Sequence, residues 1–463
     1  MDTLKDIGVD PKMYKNWFLL NQNTTVRVKT ANGYTEWRKV GELLGQGSGG
    51  GAMASAANLD KGVDQYFRGS MDEIMYGCIR LQPLIFVDDV ARVTTARDKA
   101  QAGNIKLDCL MNTKQLMLHP DKTCYLVLGK GDSYIKMENE IAVQPITCGE
   151  FEPKRKMQEK WLGDIFSSQG LDPSVKSTIE DRIPRVKAAM FDFRSQCLGG
   201  VEGALDLWEF CVIPMALNSA GTWTDTSEKS INILENLQNM FVRLILHLPD
   251  STPKPVLTFD TGLLSMRHRI MAAKLNLAYY FLFDCDGHLA GQVYSEQLRQ
   301  GWPGLSREVA VYSEMLGIPN VNKLKIGEIS PNMWKECVKK AIWKHNEAEL
   351  KSKMENYKKL NEIKNESFER KEYLKSKSIV DSRMTIRLRS KMFHAKDNFK
   401  NKYINRKNGL SCESCNTGLI ESQSHVLICT AYDKLREGLN LNQNNDIVKY
   451  YREVLLLRAK LEK

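Results

Sequence analysis

The stretch Leu84-Ile85-Phe86-Val87-Asp88-Asp89-Val90-Ala91-Arg92-Val93 sets two short apolar runs against a pair of adjacent acids. Apolar residues on both flanks predict a hairpin with buried strands and its tip at Phe86-Val87-Asp88-Asp89. Burying adjacent carboxylates is costly unless something cationic compensates. A tip carrying Asp88 and Asp89 is therefore a candidate for holding divalent metal in a nucleotidyl-transfer site. The competing reading is a turn with two solvated acids, because an aromatic-x-Asp-Asp match also arises by chance. Two-metal catalysis needs a further carboxylate from a neighbouring strand, which makes this pair at most part of a site.

Upstream of the hairpin, Gly45-Gln46-Gly47-Ser48-Gly49-Gly50-Gly51 runs straight into residues 52–67, small and apolar enough for a buried helix. Glycines before a helix let backbone approach a ligand and offer N–H groups at the helix start, although such runs are more often flexible connections. Earlier still, residues 24–30 and 34–40 alternate polar and apolar side chains around Ala31-Asn32-Gly33, predicting a β-ribbon after an amphipathic helix over 2–20. Downstream, a helix is expected over about 95–118, then a turn at His119-Pro120-Asp121-Lys122, a strand over 123–128, and a strand or turn at Trp161-Leu162-Gly163-Asp164. Beyond residue 152 the pattern is mainly helical, with helices near 174–195, 201–215 and 227–248 and a boundary at Pro249, Pro253 and Pro255. The fold class is α+β.

Near the C-terminus stands Cys412-x2-Cys415-x9-His425-x3-Cys429. A knuckle pair followed by a His and a Cys one helical turn apart, on a helix predicted over 424–435, offers four ligands for tetrahedral zinc. The plain alternative is a group of small buried thiols beside a surface histidine. The other cysteines lack ligand spacing and read as core residues, while His247, His268 and His345 read as helix-packing or surface residues.

The chain's 463 residues suffice for several domains, and with 42% hydrophobic and 26% charged residues its composition is that of a globular protein. No apolar run approaches the roughly 18 residues of a membrane span. The start Met1-Asp2-Thr3-Leu4-Lys5-Asp6 is unlike a signal peptide, so reduced thiols and an intracellular location are expected. The formal charge of +10 is uneven, since residues 331–410 hold 22 basic against 10 acidic residues. Within that segment, over 383–407, Arg383, Arg387, Arg389, Lys391, Lys396, Lys400, Lys402 and Arg406 stand against only Asp397, which suits a polyanion-binding arm. Residues 334–373 read equally well as solvated helices with i, i+4 ion pairs.

The order of these motifs resembles the C-terminal two-thirds of a non-LTR (LINE-type) retrotransposon reverse transcriptase. That resemblance implies a partial reverse-transcriptase palm, then a mainly helical thumb and connection, then a zinc knuckle. The implied divisions are a partial palm (1–150), primer grip and helical thumb (151–250), helical connection (251–330), basic helical arm (331–410), and CCHC knuckle with terminal helices (411–463). By resemblance Asp88 and Asp89 are palm carboxylates for Mg²⁺, while Gly45, Gln46, Gly47 and Lys122 line the nucleotide and template. Trp161, Leu162 and Gly163 look like the primer grip, and Cys412, Cys415, His425 and Cys429 like a Zn²⁺ knuckle for RNA contact. The implied partners are an RNA template with a DNA primer, or an RNA–DNA hybrid, in the nucleus or a cytoplasmic ribonucleoprotein, with no membrane. In the family a first catalytic aspartate lies on a strand upstream of the Gly-Gln-Gly loop, whereas only 44 residues precede Gly45 here. None of Asp2, Asp6 and Asp10 follows an apolar strand. The expectation is thus a truncated RNA-directed DNA polymerase, inactive alone, with a non-catalytic zinc-dependent nucleic-acid-binding remnant as the alternative.

Overall fold

The computed structural model describes residues 10, 12, 25–27, 29–30, 33–39, 59, 62–63, 66–67, 74–86, 89–114, 116–196, 200–285, 287–376, 378–405, 409–415, 417–441 and 443–461. All of the predicted helix over 2–20 except residues 10 and 12, the Gly45-Gln46-Gly47 loop, Asp88 and Arg406 lie outside these residues. The fold is a mainly helical α+β, 61% helix with short strands. It divides into two units, Met1–Glu159 with Ser167–Gly170, and Lys160–Phe166 with Leu171–Lys463.

In the first unit the described strands pair only in twos. The predicted ribbon pairs Thr30 with Gly33 and Thr25 with Lys39, two pairings whose registers differ by one residue. Strands Leu84–Phe86 and Asp89–Ala91 form the expected hairpin, with Phe86 opposite Asp89. Its burial differs from expectation. Ile85 packs toward Val63, Phe67 and Leu110, but Leu84 is 40% and Phe86 56% exposed. A two-stranded sheet packed on one side buries every second residue, so half of an apolar run is left in water. Helix Arg97–Thr113 follows, and its buried Arg97 donates to the carbonyls of Gln144 (2.9 Å) and Pro145 (3.0 Å). A parallel pair, Cys124–Tyr125 with Lys154–Arg155, and helix Asp132–Val143 complete this unit.

The second unit is built from helices whose starts are legible in the chain. Ser227, Ser265, Ser330, Ser378 and Ser422 each accept a backbone N–H in the first turn of the helix that follows, and Pro331 occupies the first helical position after Ser330. Helices Leu171–Gln196, Gly200–Leu207 and Glu228–Leu246 enclose one core, where Trp208 stacks on Phe241 at 4.4 Å. A second core joins Met266–Tyr279, Leu305–Leu316 and the first half of Pro331–Glu355, with Tyr279 stacked on Trp334. A third surrounds Cys412, Val426, Cys429 and the C-terminal helix Asn444–Leu461.

Helix Ile379–Arg389 separates two of these cores. Ile386 belongs to the core of Trp208, whereas Met384 and Leu388, four residues apart, belong to the core of Cys412. Apolar residues two apart lie on opposite sides of a helix, so this element is sandwiched. The arginines expected to bind polyanion, Arg383, Arg387 and Arg389, thus stand on a partition between two cores.

The turn after helix Lys254–Thr261 places Gly262 at φ +65°, and a Cβ there would stand 2.5 Å from the backbone nitrogen of Arg370. Both the left-handed backbone and the close approach require glycine. Gly262→Ala is expected to destabilise this unit by about 1–3 kcal/mol, read as a lowered thermal midpoint. Among the described residues no helix is long and apolar enough to cross a membrane.

Candidate metal centre

Cys412 and Cys415 lie on the loop that the Ser411–Ile420 bridge closes, while His425 and Cys429 are carried by helix Gln423–Ile428 and its C-terminal cap. That helix is shorter than the 424–435 expected, because Cys429 leaves it in an extended conformation before a 3₁₀ turn over Thr430–Tyr432. The turn of spacing still brings His425 and Cys429 together. The four ligand atoms all lie within 4.8 Å of one another. Cys412 Sγ is 3.9 Å from Cys429 Sγ, and Cys415 Sγ is 3.4 Å from His425 Nε2. A zinc tetrahedron with Zn–S bonds of about 2.3 Å has edges of about 3.8 Å, so these separations fit without rearrangement. Three thiols and an imidazole could hold a metal ion such as zinc.

The surroundings hold the ligands in place. Ser422 Oγ accepts the His425 N–H at 3.0 Å, and Cys412 N–H donates to Leu419 O at 2.8 Å. Tyr450 and Tyr451 on the C-terminal helix donate to the carbonyls of Val426 (2.6 Å) and Gln423 (2.7 Å). Arg436 donates to Cys429 O at 3.0 Å. Arg458 pairs with the buried Glu421 at 3.2 Å and donates to Tyr432 OH, which in turn meets Ser414 Oγ. Hydrogen bonds from Thr417 pull the Cys415 thiol down to about 6, whereas burial pushes Cys429 up to about 12. One thiol is thus ionised near neutrality and another needs the metal's own charge to lose its proton.

The basic residues divide into two groups. Arg389 is committed inward: its guanidinium pairs with the fully buried Asp260 (2.7 Å) and with Glu366 (2.8 Å). Burial opposes its charge, but the two carboxylates outweigh burial and hold its pKa above the ordinary arginine value. Arg387 donates to His247 O at 2.9 Å, and burial lowers its pKa. Arg383 is half-buried, and Lys391 pairs with Glu362 at 3.3 Å. Lys396 is 7% exposed and donates to Ser411 O at 2.8 Å while pairing with Glu413, so it braces the metal loop. Lys400 and Lys402 are exposed, on a segment tied to the same loop by the Asp397 N–H, which donates to Glu421 O at 3.0 Å. A basic residue recurring every few positions does not reveal which cations have internal partners, because the partners of Arg389 lie 129 and 23 residues away in the chain and those of Lys396 beyond the next loop.

The remaining candidates are scattered. Asp89 is exposed at the hairpin, and among the described residues no group of three metal-ligating side chains forms around it. Lys122 stands in the turn after His119, whose carbonyl accepts its N–H at 3.1 Å. Trp161, Leu162 and Gly163 form a tight turn, with Leu162 at φ +50° and 44% exposed. The buried Arg182 anchors that turn by donating to Gly163 O (3.0 Å) and Asp164 Oδ1 (2.7 Å). One group escaped sequence reasoning altogether: His268, His345 and Glu349 converge. The His-x3-Glu spacing on one helix was visible, but the crossing helix that brings His268 was not. The chain matches no protein-family model and no curated protein.

Proposed function

We propose that this chain is a nucleic-acid-binding relative of the non-LTR retrotransposon reverse transcriptases, that its C-terminal module is a zinc knuckle contacting RNA, and that it does not polymerise by itself. The observation carrying this reading is the convergence of Cys412, Cys415, His425 and Cys429 on one point. Zinc with three thiolates and an imidazole is a closed, structural site, so its work is to hold the 412–429 loop in shape. That loop presents Leu419, Ile420 and Ile428 to solvent, beside the exposed Lys400 and Lys402. Apolar surface flanked by cations suits single-stranded RNA, whose bases stack while its phosphates pair with lysine. Zn²⁺ supplies the fixed geometry, and the lysines supply salt-sensitive affinity.

Catalysis needs at least one further carboxylate beside Asp88 and Asp89 to hold two Mg²⁺ ions for attack of a 3′-hydroxyl on an α-phosphate. With Asp89 exposed at a two-stranded hairpin, primer extension on an RNA template with Mg²⁺ is expected to be negligible. Extension that disappears in an Asp88→Ala, Asp89→Ala control would overturn this part of the proposal. The binding part is tested by RNA affinity against salt. Removing Lys400 and Lys402 together by alanine substitution is expected to lower the log–log salt slope by about 1–2, at roughly 0.7 for each phosphate that is no longer neutralised. An unchanged slope would remove these lysines from the interface.

A further inference from the structure

Helices Met266–Tyr279 and Pro331–Glu355 cross at a histidine pair, His268 buried and His345 half-buried. His268, 1% exposed, places Nε2 2.8 Å from His345 Nδ1 and 3.7 Å from Glu349 Oε2. One ligand atom from each of the three residues falls within 4.8 Å of the others. His345 and Glu349 are four apart on one helix, hence on one face, and His268 reaches them from the other helix.

We propose that His268, His345 and Glu349 form a second metal site, for a zinc-class divalent cation, which staples these two helices together. Two imidazoles and one carboxylate are a three-ligand set that leaves a fourth position for water. Ser265 Oγ lies 2.7 Å from His268 Nδ1. A ring nitrogen donating to that hydroxyl fixes the tautomer whose other nitrogen, Nε2, has its lone pair free for the metal. Burial is the main reason His268 stays neutral, the form a metal takes, its pKa pushed down to about 4.

The site must change little to accept an ion. At bond lengths of about 2.0–2.1 Å, two ligand nitrogens in a tetrahedron are about 3.3 Å apart, so the imidazoles separate by roughly half an ångström. His345 moves its ring proton from Nδ1 to Nε2 on binding and stays neutral, so the histidines release no net proton. Lys353 competes with the ion, its Nζ pairing with Glu349 Oε1 at 2.5 Å, and Arg267 adds a second positive charge nearby. Lys353 holds the other oxygen of that carboxylate, not the Oε2 that faces His268, and its positive charge opposes an incoming cation, which makes this the weaker of the two centres.

The competition supplies a test with a sign that a purely structural histidine pair cannot reproduce. The full chain, dialysed against Zn²⁺ and freed of excess, is expected to hold two zinc ions per chain, one on the cysteine centre and one here. Glu349→Gln is expected to lose the second ion only. Lys353→Met, which removes that positive charge from beside Glu349, is expected to bind it several-fold more tightly in competition with a chromophoric chelator. With Co²⁺ the increment that disappears in Glu349→Gln is expected to lack thiolate-to-cobalt charge transfer, which belongs to the cysteines. A wild-type chain saturated at one ion, or a Lys353→Met chain with unchanged affinity, would reduce the pair to a hydrogen bond between helices and overturn the proposal.

Discussion

Replacing Cys412 with serine is expected to release the metal of the C-terminal module and to lower RNA affinity at least about tenfold. Cys412 is 2% exposed and lies in the core with Phe393, Val426, Tyr450 and Val454, so its loss removes a ligand from the centre of the module. Structural zinc sites contribute about 10–16 kcal/mol of apparent binding free energy in small peptides, and that energy is folding energy where no site exists beforehand. Here an apolar core and the Tyr450, Tyr451 and Arg458 hydrogen bonds share the task. The 412–429 loop should therefore loosen while helix Asn444–Leu461 stays formed. Zinc content, limited proteolysis within 409–432 and RNA titration at fixed salt read the three consequences separately. Release of zinc with RNA affinity unchanged would detach the centre from nucleic-acid binding.

The second large effect is expected at Asp260. This carboxylate is fully buried, accepts from Arg389 at 2.7 Å and 3.1 Å, and accepts the Tyr373 hydroxyl at 2.7 Å. Its backbone carbonyl also accepts the Lys371 N–H at 3.0 Å, so the loop through 366–375 is tied to helix Lys254–Thr261 by one residue. Asp260→Ala leaves a half-buried guanidinium with Glu366 as its remaining partner. Breaking a buried pair from one side costs about 3–5 kcal/mol. In a unit of this size that lowers the thermal midpoint by on the order of 10 °C. Tyr373→Phe, which removes only one hydrogen bond, should cost about 1 kcal/mol. A drop at Asp260→Ala no larger than at Tyr373→Phe would place the stability elsewhere.

Arg389 illustrates why charge counting fell short. Its surroundings in sequence, Arg383 to Lys407, read as a stripe for phosphate, and nothing local distinguishes it from Lys400. Asp260 is 129 residues away, and Glu366 is 23 residues away across a turn. Periodicity did carry one warning, for Met384, Ile386 and Leu388 alternate with the arginines. In a helix that alternation means two buried sides, and only a helix between two cores can satisfy it. Hairpin Leu84–Phe86 with Asp89–Ala91 fell short in the opposite direction. An apolar run suggested strands buried on both faces, but a sheet of two strands offers the core a single face.

What the residues dictated locally was the start of five helices, through Ser227, Ser265, Ser330, Ser378 and Ser422, and the turn at Leu162-Gly163. The Cys412, Cys415, His425, Cys429 ligand set was equally legible, because all four fall within eighteen consecutive residues at zinc-ligand spacing, Cys-x2-Cys and His-x3-Cys. Tertiary packing alone decided which cations turn inward, where Asp260 is buried, and that His268 meets His345 and Glu349. Those groupings depend on which helix crosses which, and crossing is chosen by the summed burial of whole apolar faces, a quantity no short motif contains.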